Sequence, residues 1–200
     1  MLFLHEMYIL EYFAKFSDHD VQRFVNTLAT TSCGFLSTDE MNKFRQLYGV
    51  LYGVKDLIAY DDNIKRSLEI YRKIEEGLEK LFPLVCPASG SFIGWKKALT
   101  HPYGDRCLVK LEIPEDALRS SAFSRKCRCS KANVLDICTL GLSEVKSLPL
   151  AWSYHYNDFC YLNGGTVWPS YAPFDTFRWD ECSSGIHFFM TEEEAKSYIM

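Results

Sequence analysis

The chain holds no uncharged apolar run near the roughly 18 residues that a helix needs to cross a bilayer, so no membrane contact is expected. Its apolar opening, Met1 to Phe16, carries His5 and Glu6 but no basic start and no small-residue cleavage site, so a signal peptide is not expected. A glycine-rich phosphate loop, a Gly-x-Ser-x-Gly elbow and a His-Glu-x-x-His helix are all missing, which removes the usual sequence grounds for three large hydrolase classes. Positive charge is also short. Against 26 Asp and Glu stand 22 Lys and Arg, and the net charge of −4 excludes a bulk electrostatic grip on nucleic acid or anionic lipid. No low-complexity tract and no solenoid repeat occurs.

What is present is apolar bulk. Of the 200 residues 48% are hydrophobic and 15% aromatic, enough to bury the core of one or two domains and to oppose disorder. The 8 cysteines are an even number, but they sit in apolar runs such as Cys107-Leu108-Val109 rather than in a short, core-poor scaffold. Reduced core thiols, and hence an intracellular protein, are expected.

The predicted fold class is α+β: an N-terminal helical bundle over 1–82, a linker over 83–90, and a small mixed domain with a mainly antiparallel sheet over 91–200. Ser17-Asp18-His19-Asp20 supplies cap residues, and Val21, Phe24, Val25 and Leu28 follow on one helical face. Ser37-Thr38-Asp39-Glu40 fits a capping box, and Asp61-Asp62 opens an amphipathic helix carrying Ile64, Leu68, Tyr71, Ile74, Leu78 and Leu81. Gly49 and Gly53 lie one turn apart, which predicts a close neighbouring backbone, because each glycine costs about 1 kcal/mol in a helix interior. Pro83 and Pro87 break the helical pattern. Beyond them Cys107, Val109, Leu111 and Ile113 alternate as a strand with one buried face, and Ala132 to Leu140 reads as another. Asn163-Gly164 reads as a hairpin turn, Gly185 to Met190 as a buried strand, and Thr191 with Glu194 as the capping box of a last helix.

Several segments of the second half form a recognisable set. They are Phe92-Ile93-Gly94-Trp95-Lys96-Lys97, Leu108 to Pro114, Arg125-Lys126-Cys127-Arg128-Cys129-Ser130-Lys131-Ala132, and Glu181 to Phe189 with Thr191 and Glu193-Glu194-Ala195. In order and spacing the region 90–200 resembles an uncharacterised domain of large nucleocytoplasmic DNA viruses, often found beside pentapeptide repeats. The resemblance implies a viral origin, with the host cytoplasm or the virion as location, and carries no assigned chemistry. The helical half is not covered, and the chain has no pentapeptide array.

Three groups of residues bear on function. Arg119, Arg125, Lys126, Arg128 and Lys131 form a basic run without an acid, fit to hold a phosphate or nucleotide, to meet nucleic acid, or to dock an acidic partner; a solvated edge strand is the plain alternative. Cys182 and His187 are the catalytic candidates, a thiol that needs an imidazole within hydrogen-bond reach, against a packed thiol and a core histidine. The strand at Gly185 also resembles, at the level of fold alone, the glycine-aromatic strand of ADP-ribosyltransferases. The third group is aromatic. Trp152, Tyr154, Tyr156, Trp168, Tyr171 and Trp179 crowd a segment too short to bury them all and are expected to form an interface. No metal is expected, since Cys127-x-Cys129 lacks the two-residue spacer of a zinc knuckle, and no cofactor is expected.

Together these features favour a viral interaction or assembly module, virion-associated or a minor capsid protein, with a protein partner and self-association through the N-terminal helices. The alternative is a small enzyme, thiol-based or ADP-ribosyltransferase-like, acting on a phosphate-bearing substrate.

Overall fold

The computed structural model describes residues 4–31, 39–53, 61–102, 104–141, 146–155 and 159–199. It divides into two compact units, Met1–Pro83 and Leu84–Met200, helical and then mostly antiparallel β, an α+β chain.

The first unit contains α1 (Leu4–Ala14), α2 (Asp18–Thr31), α3 (Asp39–Gly53) and α4 (Asp62–Leu81). The Ser17 hydroxyl accepts the Asp20 N–H at 3.2 Å while the Asp20 carboxylate accepts the Ser17 N–H at 3.0 Å, a reciprocal cap that starts α2. Asp61 caps α4 by accepting from Asn63 and Ile64 at 2.8 and 3.1 Å. Ser37, the expected cap of α3, lies outside the described residues. Phe13, Phe24, Phe44, Leu47, Ile70 and Ile74 are buried in the centre of this unit. The inward stripe of α4 includes Ser67 and Ile70 rather than Leu81, which is 52% exposed. A serine can sit there because its hydroxyl donates to the Leu10 carbonyl at 2.7 Å.

Among the described residues the expected close approach at Gly49 and Gly53 is absent, for outside their own helix backbone no heavy atom lies within 4 Å of a Cβ built at either. The tight helix contact falls at Gly77 instead, where a Cβ would meet Val25 Cγ2 at 3.0 Å.

The second unit contains β1 (Phe92–Leu99), β2 (Arg106–Ile113), β3 (Arg119–Ser121), β4 (Cys127–Cys129), β5 (Ala132–Thr139), β6 (Leu150–Trp152), β7 (Cys160–Leu162), β8 (Thr166–Val167), β9 (Ile186–Phe188) and α5 (Glu192–Ser197). The stretch expected as a linker belongs partly to this unit. Cys86 is 3% exposed in its core, and the Val85 N–H donates to Ser121 Oγ at 2.9 Å. Strand β2 is buried on both faces at its start, since Leu108 is as covered as Cys107 and Val109. The capping box of α5 forms as the sequence predicts, with Thr191 and Glu194 exchanging hydrogen bonds.

The turn at Asn163-Gly164 forms, with Gly164 at φ +77°, but the strands it joins do not pair. Strand β7 pairs with β6, and β8 with β5, at opposite ends of the order β7-β6-β1-β2-β5-β8. A flat sheet of that width would hold its edges about 24 Å apart, at about 4.8 Å per strand. The step from Leu162 to Thr166 reaches only about 14 Å, at about 3.5 Å per residue. The sheet therefore curls until its edges meet. The turn ties them, with Gly164 N–H donating to Val134 O of β5 and Asn163 N–H to Pro149 O before β6, both at 2.9 Å.

The second sheet has the order β3-β4-β9, and β9 continues into a bridge with β1 in which Trp95 and Phe189 exchange backbone hydrogen bonds at 2.7 and 2.8 Å. Gly94 permits this joint, because a Cβ there would lie 2.6 Å from the Phe188 ring.

Candidate functional site

The basic run is drawn into the fold. Strand β4 is the middle strand of its sheet, not an edge, and Arg128 is 1% exposed. Cys127 and Cys129 face the core, so Arg128 points to the other side, where its guanidinium donates to the carbonyls of Asp175, Phe177 and Ser184 at 2.8 to 3.0 Å. It clamps the 175–184 loop and cannot meet an external anion. Arg119 does similar work, donating to the carbonyls of Gly90, Pro114, Glu115 and Ala117 at 2.7 to 3.1 Å. Arg125 pairs with Glu194 at 2.6 Å, and Lys131 with Asp116 at 2.5 Å, holding the Asp116 carboxyl below its ordinary range. Lys126 reaches Cys182, with Nζ 3.4 Å from Sγ.

Cys182 and His187 engage different partners. The Cys182 thiol is exposed and lies against Lys126, whereas His187 Nε2 bonds the Glu181 carbonyl at 3.0 Å. Burial first, then the nearby cations Lys96, Lys126 and Arg128, push the imidazole down to about 3, so it is neutral at pH 7. The seven described cysteines are free thiols. Burial pushes Cys107 and Cys129 up to about 12; Cys86 and Cys127 share a hydrogen bond that favours the Cys86 thiolate and opposes that of Cys127. Among the described residues no three His, Cys, Asp or Glu side chains gather to hold a metal ion, and no helix is long and apolar enough to cross a membrane.

The aromatic segment splits. Trp179 is 1% exposed and packs against Phe123 and the Arg178 guanidinium, so it is core and not interface. Trp152 is half-buried and Tyr156 lies outside the described residues. Tyr154, Trp168 and Tyr171 stand out, at 46%, 57% and 60% exposed.

Of these three, Tyr171 lines a cavity of about 190 Å³ in the second unit, with Lys96 of β1, Ser153 and His155 after β6, Tyr161 of β7, the 169–172 segment, and 183–187 leading into β9. Tyr171 is part of its wall, the Tyr154 ring stands edge-on to His155, and Trp168 directly precedes Pro169. Lys96 was not singled out by charge pattern. It shares a strand face with Gly94 and the buried Ala98. Its ammonium donates to the His187 carbonyl at 3.1 Å and lies 5.9 Å from the centre of the Tyr161 ring. Burial draws it down to about 8; His155, an exposed residue, is lowered by partial desolvation first and then by nearby Lys96 and Lys126. The result is a small, donor-rich cavity with one ammonium, the imidazoles of His155 and His187, and no carboxylate among the described residues that line it.

The residues that build this cavity fall in one recognisable stretch. Over residues 82–195 the chain matches a family of unknown function, DUF5758. No curated protein and no solved structure matches the chain. The match spans more than half of the sequence, includes β1 to β9 and the whole lining of the cavity, and makes this chain a member of the DUF5758 family.

Proposed function

We propose that the C-terminal unit is a protein-recognition module without catalysis, and that the helical unit serves packing or self-association. The observation that carries this reading is the exposure of Tyr171, which lines a cationic cavity, and of Tyr154 and Trp168, the chain neighbours of its lining residues His155 and Pro169. Large aromatics beside a pocket are the composition that protein interfaces favour. The exposed Leu4, Met7 and Tyr8 of α1 support a second contact surface on the helical unit. The earlier resemblance to a domain of large DNA viruses makes assembly within an infected cell the setting for both.

The enzyme reading finds less support. Arg128 is committed to loop carbonyls, Cys182 and His187 bond to different groups, and 190 Å³ is below the roughly 300–1,000 Å³ of typical small-molecule sites. The test is affinity capture with the tagged full chain from infected cells, comparing the parent with Trp168→Ala and Tyr171→Ala. A partner lost with both aromatic variants, while Leu118→Ala retains it, supports the module; capture indifferent to all three overturns it.

A further inference from the structure

Among the described residues Lys96 has no ion-pair partner, although it is partly buried and sits at the base of a cavity. Arg125 and Lys131 of this unit carry carboxylate partners, Glu194 and Asp116, whereas the buried Lys97 donates to the Tyr198 carbonyl at 2.5 Å; Lys96 differs from all three in lining a cavity. The ammonium has three donors and a single protein acceptor, the His187 carbonyl. Lysine is seldom buried without a counter-charge, so the site is arranged for a negative group that the chain itself does not bring.

Ser153 points the same way. It is 6% exposed and lines the cavity, and among the described residues its hydroxyl meets no hydrogen-bond partner, so it offers a donor to whatever enters. Ser170 adds a second hydroxyl from the facing segment.

Size narrows the ligand. A dry cavity of about 150 Å³ accepts benzene, so one of about 190 Å³ holds an acidic side chain or a chain terminus, but not a nucleotide. The charged groups around His187 come from every neighbouring strand, Lys96 of β1 and Lys126 and Arg128 from the β4 side, and all are positive. An entering anion therefore meets a net positive field at the His187 side of the cavity.

We propose that the cavity between Lys96, Ser153, His155 and His187 is a carboxylate-binding pocket, which receives an acidic side chain or the C-terminus of a partner protein. This deepens the recognition-module reading and rests on it for the identity of the partner. The aromatic rim supplies contact area, and the pocket selects for a carboxylate at one position.

The test uses the full chain with isotope-labelled histidine, titrated separately with N-acetyl-glutamic acid N-methylamide, N-acetylglycine and inorganic phosphate, at ionic strength matched with sodium chloride. The expected result is a saturable movement of the His187 and His155 ring signals with one or both carboxylates, weakened at least about tenfold by Lys96→Met. Far-UV circular dichroism checks that this variant folds, and Ser153→Ala gives a milder second variant with partial weakening. The glutamate compound binding better assigns a side chain, and acetylglycine binding better assigns a terminus. No saturable movement with either carboxylate, binding unchanged in folded Lys96→Met, or tighter binding of phosphate than of both carboxylates overturns the proposal. A null titration with aromatic-dependent capture intact defeats the pocket alone; capture that ignores Trp168 and Tyr171 defeats the module while the titration stands.

Discussion

Arg128 of β4 and His187 of β9 are register partners across one antiparallel ladder, and both are fixed to backbone carbonyls of the loop that precedes β9. That pairing sets one wall of the cavity. The loop is pinned from β4 by a guanidinium and from β9 by an imidazole, so Ser183 and Ser184 stand opposite Lys96 on a fixed frame.

Arg128→Met should therefore destabilise the second unit. Three loop carbonyls lose a charged donor in a buried setting, which costs about 3 kcal/mol or more. All 4 tryptophans lie beyond residue 90, so urea unfolding followed by tryptophan fluorescence reads this unit alone. A loss below about 1 kcal/mol would show that the loop holds without the clamp.

His187 gives the second unit an acid limit. Its folded value near 3 lies below the ordinary 6.5, so between those two pH values the unfolded chain binds a proton that the folded chain does not. Stability from this group is complete above pH 6.5, falls as pH drops through the window, and falls no further below about 3, with a slope of at most about 1.4 kcal/mol per pH unit. Subtracting the stability-pH curve of His187→Gln from that of the parent isolates the slope. A flat difference between pH 6.5 and 3 would contradict the burial of a neutral ring.

The helical unit offers a paired test with glycines. Gly49→Ala should stabilise it by about 1 kcal/mol, since a methyl there enters open space and removes the glycine penalty. Gly77→Ala should give less or turn destabilising, because its methyl presses on Val25 at 3.0 Å. Thermal melts followed by helical circular dichroism rank the two, and the reverse order would refute the packing of α2 on α4.

Thiol accessibility checks the β-core. In the native chain Cys160 and Cys182 should react with iodoacetamide roughly a hundredfold faster than Cys86, Cys107, Cys127 and Cys129, which are buried. Peptide mapping by mass spectrometry gives the rate at each site, and equal rates would show an open core.

Much of this fold is legible locally. The caps at Ser17, Asp61 and Thr191, the alternation of β2 from Val109 to Ile113 and the turn at Gly164 each depend on a few neighbouring residues, and each appears. What local pattern does not carry is who pairs with whom. The Asn163-Gly164 turn reads as a hairpin because its chemistry is that of one, while the curl that sends β7 and β8 to different partners is a property of the whole sheet. The site was legible in type more than in place. Residue identity marks Arg128 as a cation and Trp179 as a large aromatic, but not whether the fold covers them. Lys96 and Lys97 read as solvated surface because adjacent lysines usually are, yet both strand faces are covered at this end of β1.

The most direct test of the recognition reading places a photo-crosslinking amino acid at Tyr171 of the full chain and irradiates cells that express it. The account predicts one dominant protein adduct, its crosslinked peptide carrying an acidic residue or a chain terminus, and loss of that adduct when Lys96→Met is combined. No protein adduct from position 171, or an adduct that persists unchanged without Lys96, would contradict it.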